Sequence, residues 1–302
     1  MSAPPVFPEF RPLELNAADA LRPALAGVGT ALSEFTFANL FLFRRAHHYR
    51  WSTWQGMVLV VGQGYDGAAC AMPPLGSGDV GGAISLLEQH LEQQGVQPAF
   101  FPVPEASLAE WFPAPRWTAV ADRDQGDYLY LREELASLPG KKFHKRRNRL
   151  EKFLREEGAG YAYRELGDEH REQCLQLADG WCEIRCSLER PSTYLETDAT
   201  KEALGLRHEL GLRGAVVLLG GRVRAFCLGE ALSTDTFVVH FEKTEPGHEG
   251  LAQVINRDFC LHTLGDYRYV NREQDLGDAG LRRAKEAYHP VRLVPKYRVQ
   301  RT

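Results

Sequence analysis

The sequence predicts an α/β chain in two domains, and three observations carry that expectation. Strand-like and helix-like runs interleave from end to end. Three apolar runs at residues 215–219, 222–231 and 236–243 follow one another closely, the first two joined by the hairpin pair Gly220-Gly221. The length of 302 residues, at about 150 per domain, favours two cores over one. The break at Pro139-Gly140 sets the expected domains at 1–139 and 140–302.

In chain order, the aromatic run 33–45 is expected to be a helix with Ser33 as its N-cap. Residues 51–53, 57–61 and 68–72 are expected strands, broken at Gln55-Gly56 and at the glycines of 62–67. Val80, Ile84, Leu87 and Leu91 keep helical spacing over 80–94. A short strand is expected at 98–103, a turn at 122–126 and a strand at 128–131. The second half reads as a helix at 141–157, a strand at 161–166 and helices within 169–181 and 192–210. The meander follows, then a helix at 250–263, a strand at 267–273, a helix at 279–288 with Asp278 as N-cap, and a last strand at 292–299. A meander running into a strand–helix–strand unit implies a mixed sheet.

Net charge −4 and a pI near 6.2 exclude a global charge signal for nucleic acid or membrane. No apolar run approaches the roughly 18 residues of a membrane span, and the N-terminus lacks a secretory pattern, so a cytoplasmic location is expected. Six cysteines are too few for a disulfide scaffold. Cys182 and Cys186 share a helix face, but no second pair follows at zinc spacing, so no metal is expected. Dinucleotide, nucleophile-elbow and zincin motifs are absent from the sequence.

Three segments invite chemistry. In 237–243, strict alternation would put Val238, His240 and Glu242 on one face. The loop that follows carries Gly247 and Gly250 ahead of a helix, either an anion cradle or a plain turn. In 267–290, Tyr269, Asn271 and Glu273 alternate against Val270 and Arg272, and the next helix brings Lys285, Tyr288 and His289. In 141–155, eight of fifteen residues are Lys or Arg, among them Lys145, Arg146, Arg147 and Arg149. That helix suits RNA phosphates, anionic lipid or an acidic partner, or is a solvated linker.

Residues 33–40, 141–153 and above all 269–291 resemble the bacterial family with a phosphatidylglycerol lysyltransferase C-terminal-like domain. The resemblance implies two tandem GNAT-like (acyl-CoA N-acyltransferase) folds, each a mixed central sheet flanked by helices. It also implies a gap where the strands at 237–243 and 267–273 splay, with Glu242, Asn271 and Glu273 near the reacting centre. The expected function is aminoacyl transfer from aminoacyl-tRNA to a lipid headgroup, peptide or small amine or hydroxyl acceptor. Glu242 or Glu273 would accept the proton, Asn271 would orient, and Tyr288 or His289 would protonate the leaving oxygen. Lys145, Arg146, Arg147, Arg149, Gly247, Gly250, Arg272 and Lys285 are the expected substrate or phosphate contacts, with the tRNA acceptor end and an anionic lipid or acidic small molecule as partners. The loop 248–252 keeps only Gly250 and Ala252 of the usual GNAT pyrophosphate pattern. A CoA-dependent N-acyltransferase using acyl-CoA, and a non-catalytic binder of an acidic partner, are the alternatives.

Overall fold

The computed structural model describes residues 3–64, 66–185 and 191–302, without the side chains of 181–185 and 191–194. The Cys182–Cys186 pair lies outside what is described. The chain forms two compact units. Unit 1 comprises Met1–Asp127, Gln274–Gly277 and Val294–Thr302; unit 2 comprises Tyr128–Glu273 and Asp278–Leu293.

Unit 1 carries β1 (Arg11–Pro12), α1 (Ala18–Ala26), α2 (Phe37–Leu42), β2 (Arg50–Trp54), β3 (Met57–Gln63), β4 (Ala69–Ala71), α3 (Val80–Gln93), β5 (Ala99–Val103), α4 (Leu108–Trp111) and most of β6 (Trp117–Leu131). Unit 2 takes the end of β6, then α5 (Arg132–Ser137), α6 (His144–Glu157), β7 (Tyr161–Glu165), α7 (Arg171–Arg185), α8 (Pro191–Gly205), α9 (Arg207–Leu210), β8 (Arg213–Leu219), β9 (Arg222–Ala231), β10 (Thr236–Thr244), α10 (Leu251–Asp258), β11 (Tyr269–Asn271) and α11 (Ala279–Glu286). The last strand, β12 (Arg292–Arg301), returns the chain to unit 1.

Each unit repeats one strand order. In unit 1, β2, β3 and β4 form an antiparallel meander, β4 pairs parallel with β5 across α3, and β5 pairs antiparallel with β12. In unit 2, β8, β9 and β10 form the meander, β10 pairs parallel with β11 across α10, and β11 pairs antiparallel with the end of β6. The parallel pairs require crossover connections, and the helices supply them. The fold is mixed α/β, with the same GNAT-like strand order in each unit and helices flanking the strands.

The cores follow from the alternation. Met57, Leu59 and Val61 of β3 pack with Ile84, Leu87 and Leu91 of α3, and with Phe100 and Val299, in unit 1. Phe237 and Val239 of β10 pack with Val254, Ile255 and Phe259, and with Phe143, Leu150 and Phe153 of the basic segment, in unit 2. The basic helix is therefore anchored by the apolar stripe that its sequence shows.

Three local expectations are corrected. The polar run 122–126 is not a turn: it lies inside β6, where Arg123 and Asp124 are exposed and Gly126 is buried, so polar side chains mark a partly solvated strand. Residues 33–45 are not one helix: a single turn at Ser33–Phe35 precedes α2, and the Ser33 hydroxyl caps neither, donating instead to Asp127 at 3.2 Å while its backbone N–H donates to the same carboxylate at 2.7 Å. The helix expected over 250–263 is α-helical only to Asp258 and widens into a π-turn over Phe259–Thr263. Asp278 does cap α11, accepting from the Leu281 N–H at 2.8 Å. No helix among the described residues is long and apolar enough to cross a membrane.

Candidate active site

The expected strand gap is present in unit 2. Parallel pairing of β10 with β11 runs from Thr236–Tyr269 to Val238–Asn271 and stops. Two features part the chains there. A bulge between Val239 and Phe241 shifts the register of β10. Beyond Asn271 the chain turns at Glu273, which has φ +56°, while the Asn271 side-chain carbonyl accepts from the Glu273 N–H at 2.6 Å.

The bulge overturns the strict alternation expected for 237–243. Glu242 pairs with Cys227, on the face of the unit 2 core, whereas His240 lies toward Glu230, which pairs with Val238 on the opposite face. The candidate residues therefore divide between two faces. On one, His240 lies 2.8 Å from Glu273 and 3.2 Å from Glu230. On the other, Arg272 donates to Glu242 at 3.0 Å, and its guanidinium sits 5.1 Å from the Tyr288 ring centre. Asn271 is fully buried, Lys285 donates to the Arg272 carbonyl at 2.5 Å, and His289 lies 3.0 Å from the Lys142 carbonyl.

His240 is the most perturbed of these groups. Burial pulls its pKa down, but hydrogen bonds and charge from Glu230 and Glu273 outweigh burial and push it up to about 10. It is an imidazolium at neutral pH, a clamp rather than a base. A pKa raised above the unfolded value of 6.5 stabilises fully below that pH, and the contribution fades as pH rises toward about 10. Urea unfolding should show stability falling from about pH 7 to about pH 9.5, and His240→Gln should flatten that slope. An unchanged slope would show that the clamp does not titrate with folding.

The loop before α10 is a packed turn. A Cβ on Gly250 (φ +95°) would lie 2.3 Å from the Arg149 carbonyl oxygen and 2.9 Å from Phe153. The glycine admits the close approach of the α6 backbone. Around it, Lys152 donates to Glu249 at 2.6 Å, and His248 lies 2.7 Å from Glu157 and 3.2 Å from Glu245. Gly247 (φ +97°) faces open space. Gly250→Ala should cost about 2–4 kcal/mol through strain and overpacking, and Gly247→Ala only about 1 kcal/mol through strain. Chemical denaturation of both variants checks the contrast.

The basic residues of α6 serve different ends. Arg147 donates to the Leu138 and Gly140 carbonyls and ties down the turn before the helix. Arg146 lies over the Tyr288 ring at 4.6 Å. Lys145 and Arg149 are exposed.

Sequence reasoning missed a second cluster, in unit 1. Lys296 of β12 is fully buried. Its ammonium donates to Glu34 at 2.6 Å and lies 2.8 Å from Asp127, with the Gln274 side-chain carbonyl at 3.2 Å and the Ser33 hydroxyl at 3.4 Å. Burial would lower the Lys296 pKa, but Asp127 and Glu34 outweigh it and raise it. Burial raises Glu34 above the ordinary carboxylate range; Lys296 opposes this and Asp127 adds to it. A signal was available: Val294 and Lys296 are both buried on β12, and a lysine at the next same-face position to a core valine needs a buried partner.

Glu34 and Gln274 open onto a cavity of about 30 Å³, also lined by Asn39, His47, Gly62 and Cys70. The site lies beside the parallel β4–β5 junction, since Cys70 belongs to β4 and Phe101, another lining residue, to β5. Burial lowers the His47 pKa, against a hydrogen bond at 2.8 Å to the Gln63 carbonyl. Nδ1 therefore donates, and His47 is neutral. Gly62 makes room for the His47 backbone and the Tyr49 ring, either of which a Cβ would meet within 2.7 Å. The cavity, about the size of one water molecule, is lined by a buried carboxylate and a neutral imidazole.

The strand order repeated in the two units is GNAT-like. The chain belongs to the phosphatidylglycerol lysyltransferase C-terminal family, whose model matches residues 26–300. It is similar to a conserved protein of unknown function from Bacteroides thetaiotaomicron, with 28% identity and TM-score 0.89 over 97% of this chain and 99% of the other. It shares its fold with the C-terminal domain of a lysylphosphatidylglycerol synthetase candidate from Agrobacterium fabrum (15% identity, TM-score 0.66, 95% and 93% covered). L-PGS of Bacillus licheniformis also shares it (15%, TM-score 0.59, 84% of each chain). No curated protein matches the sequence.

Proposed function

We propose that the chain moves the aminoacyl group of a charged tRNA onto a hydroxyl or amine of an acceptor, with an anionic lipid headgroup as the favoured acceptor, in the cytoplasm. Membership of the lysyltransferase family supports the class. The observation that carries the reaction is Glu34, a buried carboxylate held above its ordinary range at the wall of a cavity. As the acceptor oxygen or nitrogen attacks the ester carbonyl, Glu34 takes its proton. The carbonyl–oxygen bond to the tRNA ribose then breaks, and Glu34 returns the proton to the leaving ribose hydroxyl. Lys296 acts as a positioning residue: its three N–H bonds are committed to the groups around it, so it holds Glu34 and Gln274 in place.

The close approach of α6 to Gly250 speaks against a CoA pyrophosphate on the 247–252 loop, and so favours the ester donor. The test supplies labelled aminoacyl-tRNA or labelled acetyl-CoA together with lipid vesicles. Label is expected in the lipid fraction from the tRNA donor alone. Transfer from acetyl-CoA alone would replace this reading with a CoA-dependent N-acyltransferase, and transfer from neither would leave a binding protein.

A further inference from the structure

Residues 141–155 and 279–292 hold twelve Lys and Arg and two acids, in a chain whose net charge is −4. In unit 2 these segments meet. His289 lies 3.0 Å from the Lys142 carbonyl, and Arg146 donates to the Ala284 carbonyl at 3.4 Å while covering Tyr288. Several cations of the two segments are engaged, Lys142 with Glu134 and Lys152 with Glu249. Lys141, Lys145, Arg283 and Arg292 are exposed, and no carboxylate pairs with them among the described residues.

Among these cations stand exposed aliphatic side chains. Leu281 is 42% exposed and Val291 46%, and α11 buries none of its residues. A face for single-stranded RNA presents aromatic platforms for bases beside its cations, and one for duplex RNA presents polar groups to phosphates and 2′-hydroxyls. Exposed aliphatic side chains on segments rich in Lys and Arg match a different surface, the boundary between lipid headgroups and acyl chains.

We propose that the segments 141–155 and 279–292 dock on an anionic bilayer, with Leu281 and Val291 entering the acyl boundary and Lys141, Lys145, Arg283 and Arg292 meeting lipid phosphates. The proposal deepens the lipid-acceptor reading and rests on it. Glu286 is the acid on α11, and it limits how closely that turn approaches the headgroups.

Co-sedimentation of the full chain tests the proposal, with vesicles of phosphatidylcholine alone or mixed equally with phosphatidylglycerol. The chain should pellet with the mixed vesicles, less so as salt rises, and stay in solution with phosphatidylcholine. Leu281→Asp with Val291→Asp, and separately Lys145→Glu with Arg283→Glu, should each weaken binding about tenfold or more. Circular dichroism confirms that the variants fold. Equal pelleting with both vesicles, or unchanged binding by the Leu281/Val291 variant, would overturn the proposal. So would binding of uncharged tRNA by this face, seen as loss in the Lys145/Arg283 variant, without vesicle binding. No acyl donor is present, so a failure here is distinct from a failure of aminoacyl transfer at Glu34.

Discussion

Lys296→Met is expected to destabilise unit 1 by about 3–5 kcal/mol, the cost of breaking a buried ion pair by removing one partner. Methionine matches the length of the stem, so packing changes little. What changes is charge: Glu34 and Asp127 remain buried, 2.6 and 2.8 Å from where the ammonium stood. Without it, no ammonium opposes the burial and the Asp127 charge that raise Glu34, so the variant's folded state binds more protons than its unfolded state. Its stability should therefore fall as pH rises, and the deficit against wild type should shrink at about pH 5 and widen at about pH 8. Urea unfolding at the two pH values checks both the size and the sign. A deficit under about 1 kcal/mol, or one independent of pH, would mean that Lys296 does not neutralise the pair.

Glu34→Gln is expected to slow transfer by about 10²–10⁴-fold, the usual worth of a positioned proton acceptor. Glutamine keeps the shape, and its carbonyl can still accept from Lys296, so the fold should hold. Single-turnover transfer from labelled aminoacyl-tRNA, with melting temperatures measured in parallel, separates lost chemistry from lost structure.

Much of the architecture was legible because it rests on local patterns. The meander, the helix spacing of 80–94, the Asp278 cap and the apolar stripe of the basic helix all follow from period and turn chemistry. The bulge at Val239–Phe241 was not legible, because strict alternation is the only register a lone strand shows, and one extra residue moves Glu242 away from His240. Nor was the Ser33–Glu34 turn: its geometry is set by Asp127, 94 residues away, and nothing local to Ser33 distinguishes a partner of Asp127 from an N-cap. The strand end at Asn271 was legible because polar side chains follow an apolar strand there. The unit 1 cluster escaped because its members, Glu34, Asp127, Gln274 and Lys296, are scattered along the chain and meet only in the folded unit.

The most direct measurement compares Glu34→Gln with Glu273→Gln in one transfer assay, rates being corrected for folded fraction. A proton acceptor in the unit 1 cavity predicts that Glu34→Gln loses about 10²-fold or more while Glu273→Gln, which only loosens the His240 clamp, stays within about tenfold of wild type. The reverse order, with Glu34→Gln near wild type and Glu273→Gln inactive, would contradict it and move the reacting centre to the β10–β11 gap.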